Sequence, residues 1–273
     1  MSNIPEIKTE QSAELLKELH ILTRDGKLNQ DSRRKLKQVH HLFHFMAPIL
    51  DEVLAANQSL VLVDHGAGKS YLGFIIYDLF LKFHEGGHIY GIESRRELVK
   101  KSQELATRLG FERMSFLNLS VEKSTNSPLL PAQIDMVTAL HACDTATDDA
   151  IKFALHKQAK FIVLVPCCQA EVAKALNKNK NRAFSETPLS EIWRHPIHTR
   201  EFGSLITNVL RCLLLESHGY LLMVTELVGW EHSMKNELII ASRNDRPRKN
   251  ARQRSEQILS EFNLEELRER FIY

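Results

Sequence analysis

One short stretch, residues 60 to 72, constrains the fold of this chain more than any other. Four apolar residues run directly into Asp64, which is followed by Gly66, Gly68 and a helical pattern of apolar side chains. This order predicts a buried parallel strand, a tight loop, and a helix whose free N–H groups face a ligand. The two glycines permit positive φ angles and let a ligand come close to the backbone. The stretch therefore predicts a ligand-binding strand–loop–helix unit of an α/β protein.

Two phosphate-binding motifs can be excluded at this loop. Gly68, Lys69 and Ser70 match the end of the P-loop pattern G-x-x-x-x-G-K-[ST], but Val63 stands where that pattern needs its first glycine. The dinucleotide fingerprint G-x-G-x-x-G fails because Tyr71 stands at its third glycine. The remaining pattern, a strand followed by Asp-x-Gly-x-Gly, resembles motif I of the class I S-adenosylmethionine (SAM) methyltransferases. An acid at the strand end suits the cationic SAM better than a phosphate. An ordinary strand–turn–helix is the alternative.

The next two strands end in residues suited to a nucleoside. Residues 88 to 93 form a second strand that ends in Glu93, one βαβ unit after the first. A carboxylate at this point of a nucleoside-binding fold accepts hydrogen bonds from ribose hydroxyls. A third strand, Met114 to Leu117, leads into Asn118, Leu119 and Ser120. We expect these three residues to lie beside the adenine.

Two more strand ends carry reactive side chains. The fourth strand, residues 134 to 140, runs into His141, Ala142, Cys143 and Asp144, and the fifth, residues 161 to 165, into Pro166, Cys167, Cys168 and Gln169. Because ligands of open α/β sheets bind at the carboxyl ends of the strands, these quartets are candidates for the chemistry. His141 titrates near neutrality and is a candidate base, with Asp144 as the other candidate. The structural alternative is that both merely join strand ends.

A metal site is not expected. The cysteines of the two quartets, together with His141, are residue types that bind zinc, but no C-x-x-C spacing supports such a site. His40, His41 and His44 have no acidic or thiol companion at ligand spacing.

The chain divides around one central domain. With 43% apolar residues, its 273 residues are enough for one sizeable α/β domain with extensions. We expect a helical extension at 1–55, the central domain at 56–243, and a basic linker with a C-terminal helix at 244–273. Within the extension, residues 11–20 and 31–55 are predicted helices.

The second half of the central domain has two further features. Residues 170–200 are predicted to be irregular and, at this length, a substrate-recognition segment. Residues 220–227 and 236–241 are predicted to form a closing antiparallel hairpin. The chain shows no signal-peptide pattern and no apolar stretch that could span a membrane, and its 4 cysteines lack framework spacing. We therefore expect a cytoplasmic protein.

Four blocks of the sequence resemble successive motifs of one protein family. They begin at Val63, Leu140, Val165 and Glu231, and read V-D-x-G-x-G-K-S-Y-L, L-H-A-C-D-T-A-T-D, V-P-C-C-Q and E-H-x-x-K-N. Over about residues 32–243 the chain is similar to a bacterial class I SAM methyltransferase family. That family is related to eukaryotic methyltransferase-like proteins and to a tRNA 2′-O-methyltransferase. The resemblance implies a Rossmann-like α/β fold with a seven-stranded, mostly parallel sheet of order 3-2-1-4-5-7-6, its last strand antiparallel, and SAM as methyl donor.

The chain departs from the family at a few positions. The family usually has Phe or Val at His65, Cys at Ala67 and Asp at Glu93, and a Gly-Asp pair where Asn118 and Leu119 stand. The last departure weakens the adenine-side prediction.

The resemblance and the strand-end rule together predict the site. The expected cofactor-binding residues are Asp64, His65, Gly66, Ala67, Gly68, Ser70, Tyr71, Glu93, Asn118, Leu119, Ser120 and His141. The expected catalytic residues are His141 and Asp144. The expected substrate residues are Cys143, Pro166, Cys167, Cys168, Gln169, Glu231 and His232, the last two in the turn of the closing hairpin.

The methyl acceptor is the least constrained part of the prediction. RNA is favoured by the tRNA-modifying relative and by two basic clusters, Arg33–Lys37 and Arg243–Arg254. Against RNA stand a net charge of only +2 and 7% aromatic residues, and the plainer interpretation of the first cluster is a solvated helix face. A protein or small-molecule acceptor is the alternative. A non-catalytic SAM- or RNA-binding module is another, because Pro166–Gln169 replaces the Asn-Pro-Pro-Tyr-type motif of amine methylation.

Overall fold

The strands form one mixed sheet. The computed structural model describes residues 7, 11–140, 142, 144–167, 169–183, 188–227 and 237–273. Within them the strands are β1 Val61–His65, β2 His88–Glu93, β3 Met114–Asn118, β4 Met136–Leu140, β5 Phe161–Val165, β6 Tyr220–Glu226 and β7 Glu237–Arg243. They lie in the order β3-β2-β1-β4-β5-β7-β6, and only β7 runs antiparallel to its neighbours. The predicted fold class, strand order and closing hairpin are confirmed.

Helices cover both faces of the sheet. They are α1 Ala13–Glu18, α2 Gln30–Asn57, α3 Tyr71–Leu79, α4 Arg96–Leu109, α5 Val121–Thr125, α6 Thr145–His156, α7 Glu171–Ala183, α8 Pro196–Ser217, α9 Ala251–Glu261 and α10 Arg268–Phe271. Helices α1 to α4 pack on one face, and α6 and α8 on the other. Every residue of β5 is buried, as its unbroken apolar run requires of a strand covered on both faces.

Helix α2 runs along the full height of the sheet. Its 28 residues give it a length of about 42 Å. Its buried residues recur at helical spacing and belong to the same core as β1: Leu36, Val39, Leu42, Phe43, Met46, Leu50 and Val53. Its last turns lie where the parallel strands begin, because Asn57 donates to Asp135 at 2.9 Å and Glu52 pairs with Lys160 at 2.8 Å. Its first turns therefore lie towards the carboxyl ends of the strands.

The segment 170–200 is not irregular, so that prediction was wrong. It contains α7, a 3₁₀ turn at Pro188–Arg194 and the start of α8. These elements form a third core with the C-terminal residues: Val172, Ala175, Leu176, Trp193, Ile206, Leu210, Leu259, Leu264, Phe271 and Ile272. Burial in this core already explains the apolar residues of the segment. The structure therefore gives no support to a substrate-recognition role for residues 170–200.

The basic cluster Arg243–Arg254 lies at the edge of the sheet where the parallel strands begin. Strand β7 is antiparallel to β5, and the Arg243 N–H donates to the Lys160 carbonyl, just before β5, at 2.9 Å. Arg248 is paired with Glu216, just before β6, at 2.7 Å. The carboxyl ends of β1, β2 and β4 face the opposite edge, so this cluster does not extend from the ligand-binding end of the sheet.

Strand β6 is the outer strand of the sheet and exposes apolar side chains. Leu221 is 62% exposed, Met223 43% and Val224 50%. Across the described part of the chain, no helix combines the length and apolar character needed to cross a bilayer.

Candidate functional site

A cavity of about 430 Å³ opens at the carboxyl edge of the sheet. Its floor is the loop after β1, and one wall is formed by the first half of α2. The ends of β4 and β6 contribute Leu140 and Leu227. The residues lining it are Ile21, Gln38, Val39, Leu42, Asp64, Gly66, Ala67, Gly68, Lys69, Tyr71, Leu72, Arg95, Leu140 and Leu227. Of the predicted cofactor residues, the structure brings Asp64, Gly66, Ala67, Gly68 and Tyr71 to this cavity.

The glycine loop is held in the predicted tight conformation. Gly66 and Gly68 have φ angles of 67° and 58°, which favour glycine. The Ala67 N–H donates to the Ile92 carbonyl at 2.9 Å, and the Gly68 N–H donates to Glu93 Oε2 at 2.9 Å. These bonds fix the loop to the end of β2, so the two strand ends that carry Asp64 and Glu93 form one unit.

Asp64 is a buried carboxylate at the cavity, with only 2% exposure. Thr138 Oγ1 donates to Oδ1 at 2.9 Å and Ser70 Oγ donates to Oδ2 at 3.3 Å. Burial raises the pKa of Asp64 to about 6, although the two hydroxyl hydrogen bonds lower it in part. Among the described residues no cation pairs with Asp64. A buried carboxylate that has hydroxyl partners but no cationic partner among the described residues fits a cationic ligand.

Glu93 has a different environment because a guanidinium covers it. Arg95 Nε donates to Oε1 at 3.0 Å and Arg95 Nη2 donates to Oε2 at 3.1 Å. Burial by itself raises the pKa of Glu93, but the hydrogen bonds and charge of Arg95 outweigh burial and lower the pKa to about 2. Glu93 is therefore ionised, and its acceptor positions are occupied by Arg95, a residue that the sequence analysis did not identify.

The predicted adenine-side residues have structural partners. Asn118 Nδ2 donates to the carbonyls of Glu93 and Ser94 at 3.1 and 2.8 Å, which ties the end of β3 to the end of β2. Leu119 packs against the second core, and Ser120 precedes α5. Contact between these residues and adenine stays a prediction.

The side chain of His65 points away from the cavity. Its Nε2 lies 3.5 Å from Ser124 Oγ, and its ring centroid lies 5.2 Å from that of Phe153. The ring is buried, and none of the described residues forms a hydrogen bond with Nδ1. Burial lowers the pKa of His65 to about 4, so the ring is neutral. A cofactor contact by this residue would have to come from its backbone.

Asp144 connects β4 to α7. Its Oδ1 accepts the N–H groups of Ala170 and Glu171, at 3.0 and 3.2 Å, where α7 begins. Its backbone, at φ 50° and ψ −121°, is in a region that non-glycine residues rarely adopt. One oxygen of Asp144 is therefore committed to helix α7. The other predicted residues of this part of the site, His141, Cys143, Cys168, Glu231 and His232, lie outside the described residues.

The second quartet also has structural contacts. Pro166 is buried and Cys167 partly buried, at the end of β5. The Gln169 amide donates to Asn208 Oδ1 at 2.6 Å and accepts from Ser204 Oγ, both on α8. Its side chain is thus engaged by α8 and does not line the cavity.

A buried ion pair supports both quartets. Arg211 of α8 is fully buried and donates to both carboxylate oxygens of Asp148, at 2.6 and 2.9 Å. It also donates to the Asp144 carbonyl at 2.9 Å and to Asn208 at 3.2 Å. This network is not predicted from the sequence, in which a lone arginine within an apolar helix stripe is the available signal. Among the residues described, no group of three His, Cys, Asp or Glu side chains could hold a metal ion.

Comparison with known proteins agrees with this architecture. Residues 34–175, more than half of the chain, match a family model described as "Methyltransferase domain". The chain belongs to this methyltransferase family. The predicted enzyme class is thereby confirmed, and the fold agrees with S-adenosylmethionine as the cofactor. The narrower resemblance to a bacterial family with His-Ala-Cys and Pro-Cys-Cys blocks stays a prediction.

Individual relatives are distant. A glutathione S-transferase C-terminal domain-containing protein of Bos taurus is 21% identical over 242 residues, which are 80% of this chain and 34% of that protein. The chain thus spans about a third of the length of this relative. A magnesium protoporphyrin IX methyltransferase from Synechocystis PCC 6803 with bound SAH matches 85% of this chain and 93% of its own, at 13% identity and a TM-score of 0.46. An rRNA methylase from Streptococcus thermophilus matches 74% and 95%, at 12% identity and a TM-score of 0.45.

Proposed function

We propose that this methyltransferase domain binds SAM in the cavity at the carboxyl edge of the sheet and transfers the methyl group to a phosphate-bearing acceptor, with RNA favoured. The observation that carries the proposal is that two carboxylates lie at neighbouring strand ends, joined by one glycine loop. Asp64 is buried at the cavity with no cationic partner in the described part of the chain, and Glu93 accepts a hydrogen bond from the Gly68 N–H at 2.9 Å. A ligand with a cationic end and a ribose matches these two groups.

The residues of the chain divide the work of binding and transfer. Asp64 stabilises the cationic end of the cofactor, and Glu93 accepts hydrogen bonds from the ribose hydroxyls. The glycine loop lets the ligand approach the backbone. When bound, SAM supplies an electrophilic methyl group. The protein positions the acceptor in line with it and removes a proton where the acceptor requires it. His141 is proposed as that base and Asp144 as the residue that orients the end of β4.

The acceptor proposal depends on the charges around the cavity. Lys69 and Arg95 line it, and both are exposed. The first basic cluster lies on the same helix as Gln38 and Val39, which form the cavity wall, within one or two turns of them. Cations beside a methyl-transfer site favour an acceptor with phosphate groups. The second cluster lies at the other edge of the sheet and gives no support to an acceptor at this cavity.

Two binding experiments test the cofactor and exclude the alternatives. Isothermal titration with SAM and with S-adenosylhomocysteine (SAH) should show saturable binding, and ATP should show none. Lack of binding at millimolar SAM and SAH would reject the proposal. Binding of ATP instead would revive the P-loop interpretation.

The acceptor is tested by labelled-SAM incorporation into fractionated lysate of a strain that lacks the protein. Label in the RNA fraction supports the proposal. Label only in protein or in small molecules would show that the acceptor is wrong while the enzyme class stands. SAM binding without release of SAH in any fraction would favour a non-catalytic binding module.

A further inference from the structure

We propose that Arg95 is a two-position residue that couples the cofactor to the acceptor. In the first position its guanidinium donates hydrogen bonds to the Glu93 carboxylate, which is the proposed ribose-binding group. In the second, after the ribose has displaced it, Arg95 joins Lys69 at the cavity and binds a phosphate of the acceptor. The inference rests on the proposed function and adds an order of binding to it: cofactor first, then a phosphate-bearing acceptor.

The first argument is that Glu93 has no acceptor position left. Its Oε1 accepts from the Ser94 hydroxyl at 3.3 Å, the Arg95 N–H at 2.9 Å and Arg95 Nε at 3.0 Å. Its Oε2 accepts from the Gly68 N–H at 2.9 Å and Arg95 Nη2 at 3.1 Å. A carboxylate offers about four lone-pair positions, so two ribose hydroxyls cannot be added to these five donors. Some of the present donors have to leave.

The second argument identifies the donors that can leave. The N–H groups of Gly68 and Arg95 are fixed by the loop and by the chain leading into α4. The Arg95 side chain is 60% exposed, whereas that of Glu93 is 7% exposed. The guanidinium donates one hydrogen bond to each oxygen of Glu93, and a ribose diol can donate one to each as well. The diol can therefore replace both hydrogen bonds of the guanidinium. The free energy lost with the ion pair is modest, because the pair is partly exposed.

The third argument concerns the position of Arg95 after release. Arg95 lines the same cavity as Lys69, and its Nη2 lies over Gly68, only 3.8 Å from where a Cβ on that residue would be. A released Arg95 keeps its charge because arginine does not deprotonate in proteins. Glu97 also attracts it, but Glu97 is exposed, so a phosphate that is bidentately bound competes well. Cofactor binding thus adds a cation to the acceptor side.

The coupling has to be reciprocal. If SAH raises the affinity for a phosphate-bearing acceptor, that acceptor raises the affinity for SAH by the same factor. The coupling disappears when Arg95 cannot bind either Glu93 or phosphate. This separates the proposal from a merely structural role, because a structural residue would change stability without linking the two ligands.

The experiment measures SAH affinity by isothermal titration and the affinity for a short single-stranded RNA by fluorescence anisotropy, with and without saturating SAH. In the unaltered protein, SAH should tighten RNA binding about three- to tenfold, the range expected for one exposed charge-assisted contact. Arg95→Met should bind SAH about three- to tenfold more tightly, because the competing guanidinium is gone, and its RNA affinity should no longer respond to SAH.

Arg96→Met is the matched control. It removes the same charge from the neighbouring exposed position at the start of α4. It should lower RNA affinity slightly through general electrostatics, leave SAH affinity unchanged and retain the coupling.

The outcomes separate the inference from the proposed function. Two outcomes would overturn the role of Arg95 and leave the methyltransferase proposal intact, provided that the unaltered protein binds SAH. One is that Arg95→Met binds SAH no more tightly than the unaltered protein. The other is that SAH does not change the RNA affinity of the unaltered protein. Loss of coupling in Arg96→Met as well would overturn it too, since general charge would then be the cause. Failure of the unaltered protein to bind SAH overturns both.

Discussion

At the scale of single residues, Asp64 is a charge that the folded chain keeps at the expense of stability. Burial raises its pKa from the ordinary value of 3.8 to about 6. Folding therefore favours the protonated form, and this contribution to stability falls as the pH rises from about 4 to about 6. At pH 7 the ionised Asp64 destabilises the ligand-free protein, so a ligand that neutralises this charge should stabilise it.

Replacement of Asp64 by Asn tests this trade between stability and binding. Asp64→Asn should raise the free energy of unfolding at pH 7 by about 1–3 kcal/mol, because no buried charge is left. It should also weaken the binding of both SAM and SAH at least about tenfold, because both ligands carry the terminal ammonium group that Asp64 is proposed to bind. Urea unfolding and titration of both ligands measure these effects. A less stable variant would contradict the account.

His65, the next residue, has the opposite dependence on pH. Burial lowers its pKa from 6.5 to about 4, so its contribution to stability is present above pH 6.5 and is lost as the pH falls towards 4. Between pH 4 and 6 it offsets the contribution of Asp64.

His65→Phe should reveal the contribution of Asp64 to the pH dependence of stability, because it removes the opposing contribution of His65. Phe fills the same space beside Phe153 and has no ring nitrogen to leave unpaired. The variant should become more stable as the pH falls from 6 to 4, whereas Asp64→Asn, which retains His65, should become less stable over that range. Urea midpoints at half-unit pH intervals measure both. Parallel pH profiles for the two variants would rule out this assignment.

At the scale of secondary-structure elements, one ion pair joins α8 to the ends of β4 and β5. Arg211→Met would leave Asp148 buried without its partner and would release the Asp144 carbonyl. We expect a loss of about 3–5 kcal/mol in the free energy of unfolding.

The double variant Arg211→Met, Asp148→Asn should recover part of that loss, because it removes the unpaired charge. Arg248→Ala, which breaks a surface pair that is 45% exposed on the arginine side, should cost less than about 1 kcal/mol. Urea unfolding compares the three. Equal losses for Arg211→Met and Arg248→Ala would show that burial of the pair is irrelevant.

The elements also show which parts of the fold the sequence could predict. Strands β2 and β5 have the predicted bounds because apolar runs between turn residues define them locally. Helix α7 was missed because Asn and Lys residues dominate its second half, while its apolar residues become buried only against α8 and the distant C-terminal residues. Arg95 was missed for a related reason: its importance comes from its contact with Glu93, and no pattern in the sequence marks that contact.

At the scale of the whole molecule, the two basic clusters lie at opposite edges of the sheet. Strands of five residues separate the edges by roughly 16 Å. From the sequence alone both clusters count in favour of RNA, because position along the chain does not show which edge of the sheet each cluster occupies. Only the cluster on α2 is close to the cavity, where α2 also supplies a wall that the sequence alone could not assign.

RNA binding should therefore depend on the first cluster more than on the second. Replacing Arg33, Arg34 and Lys37 by Ala should weaken RNA binding and reduce the slope of log affinity against log salt by about 0.7 for each lost phosphate contact. Replacing Arg246, Arg248, Lys249 and Arg252 by Ala should change both much less. Anisotropy titrations over a salt series measure the slopes, with SAH affinity as the control for folding. The reverse ranking would refute the assignment of the acceptor to this cavity.

The outer strand β6 is expected to influence the association of the protein with further copies of itself. Among the described residues it is the last strand of the sheet, and it carries Leu221, Met223 and Val224, all of them at least 43% exposed. An edge strand is a template for strand addition between molecules, and a charged side chain, lysine especially, is one of the devices by which natural proteins prevent it. Heated samples should therefore scatter light at a temperature that falls as protein concentration rises. Met223→Lys should raise that temperature and leave the urea midpoint unchanged. The exposed side chains of β6 are thus expected to affect association between molecules without changing the free energy of unfolding.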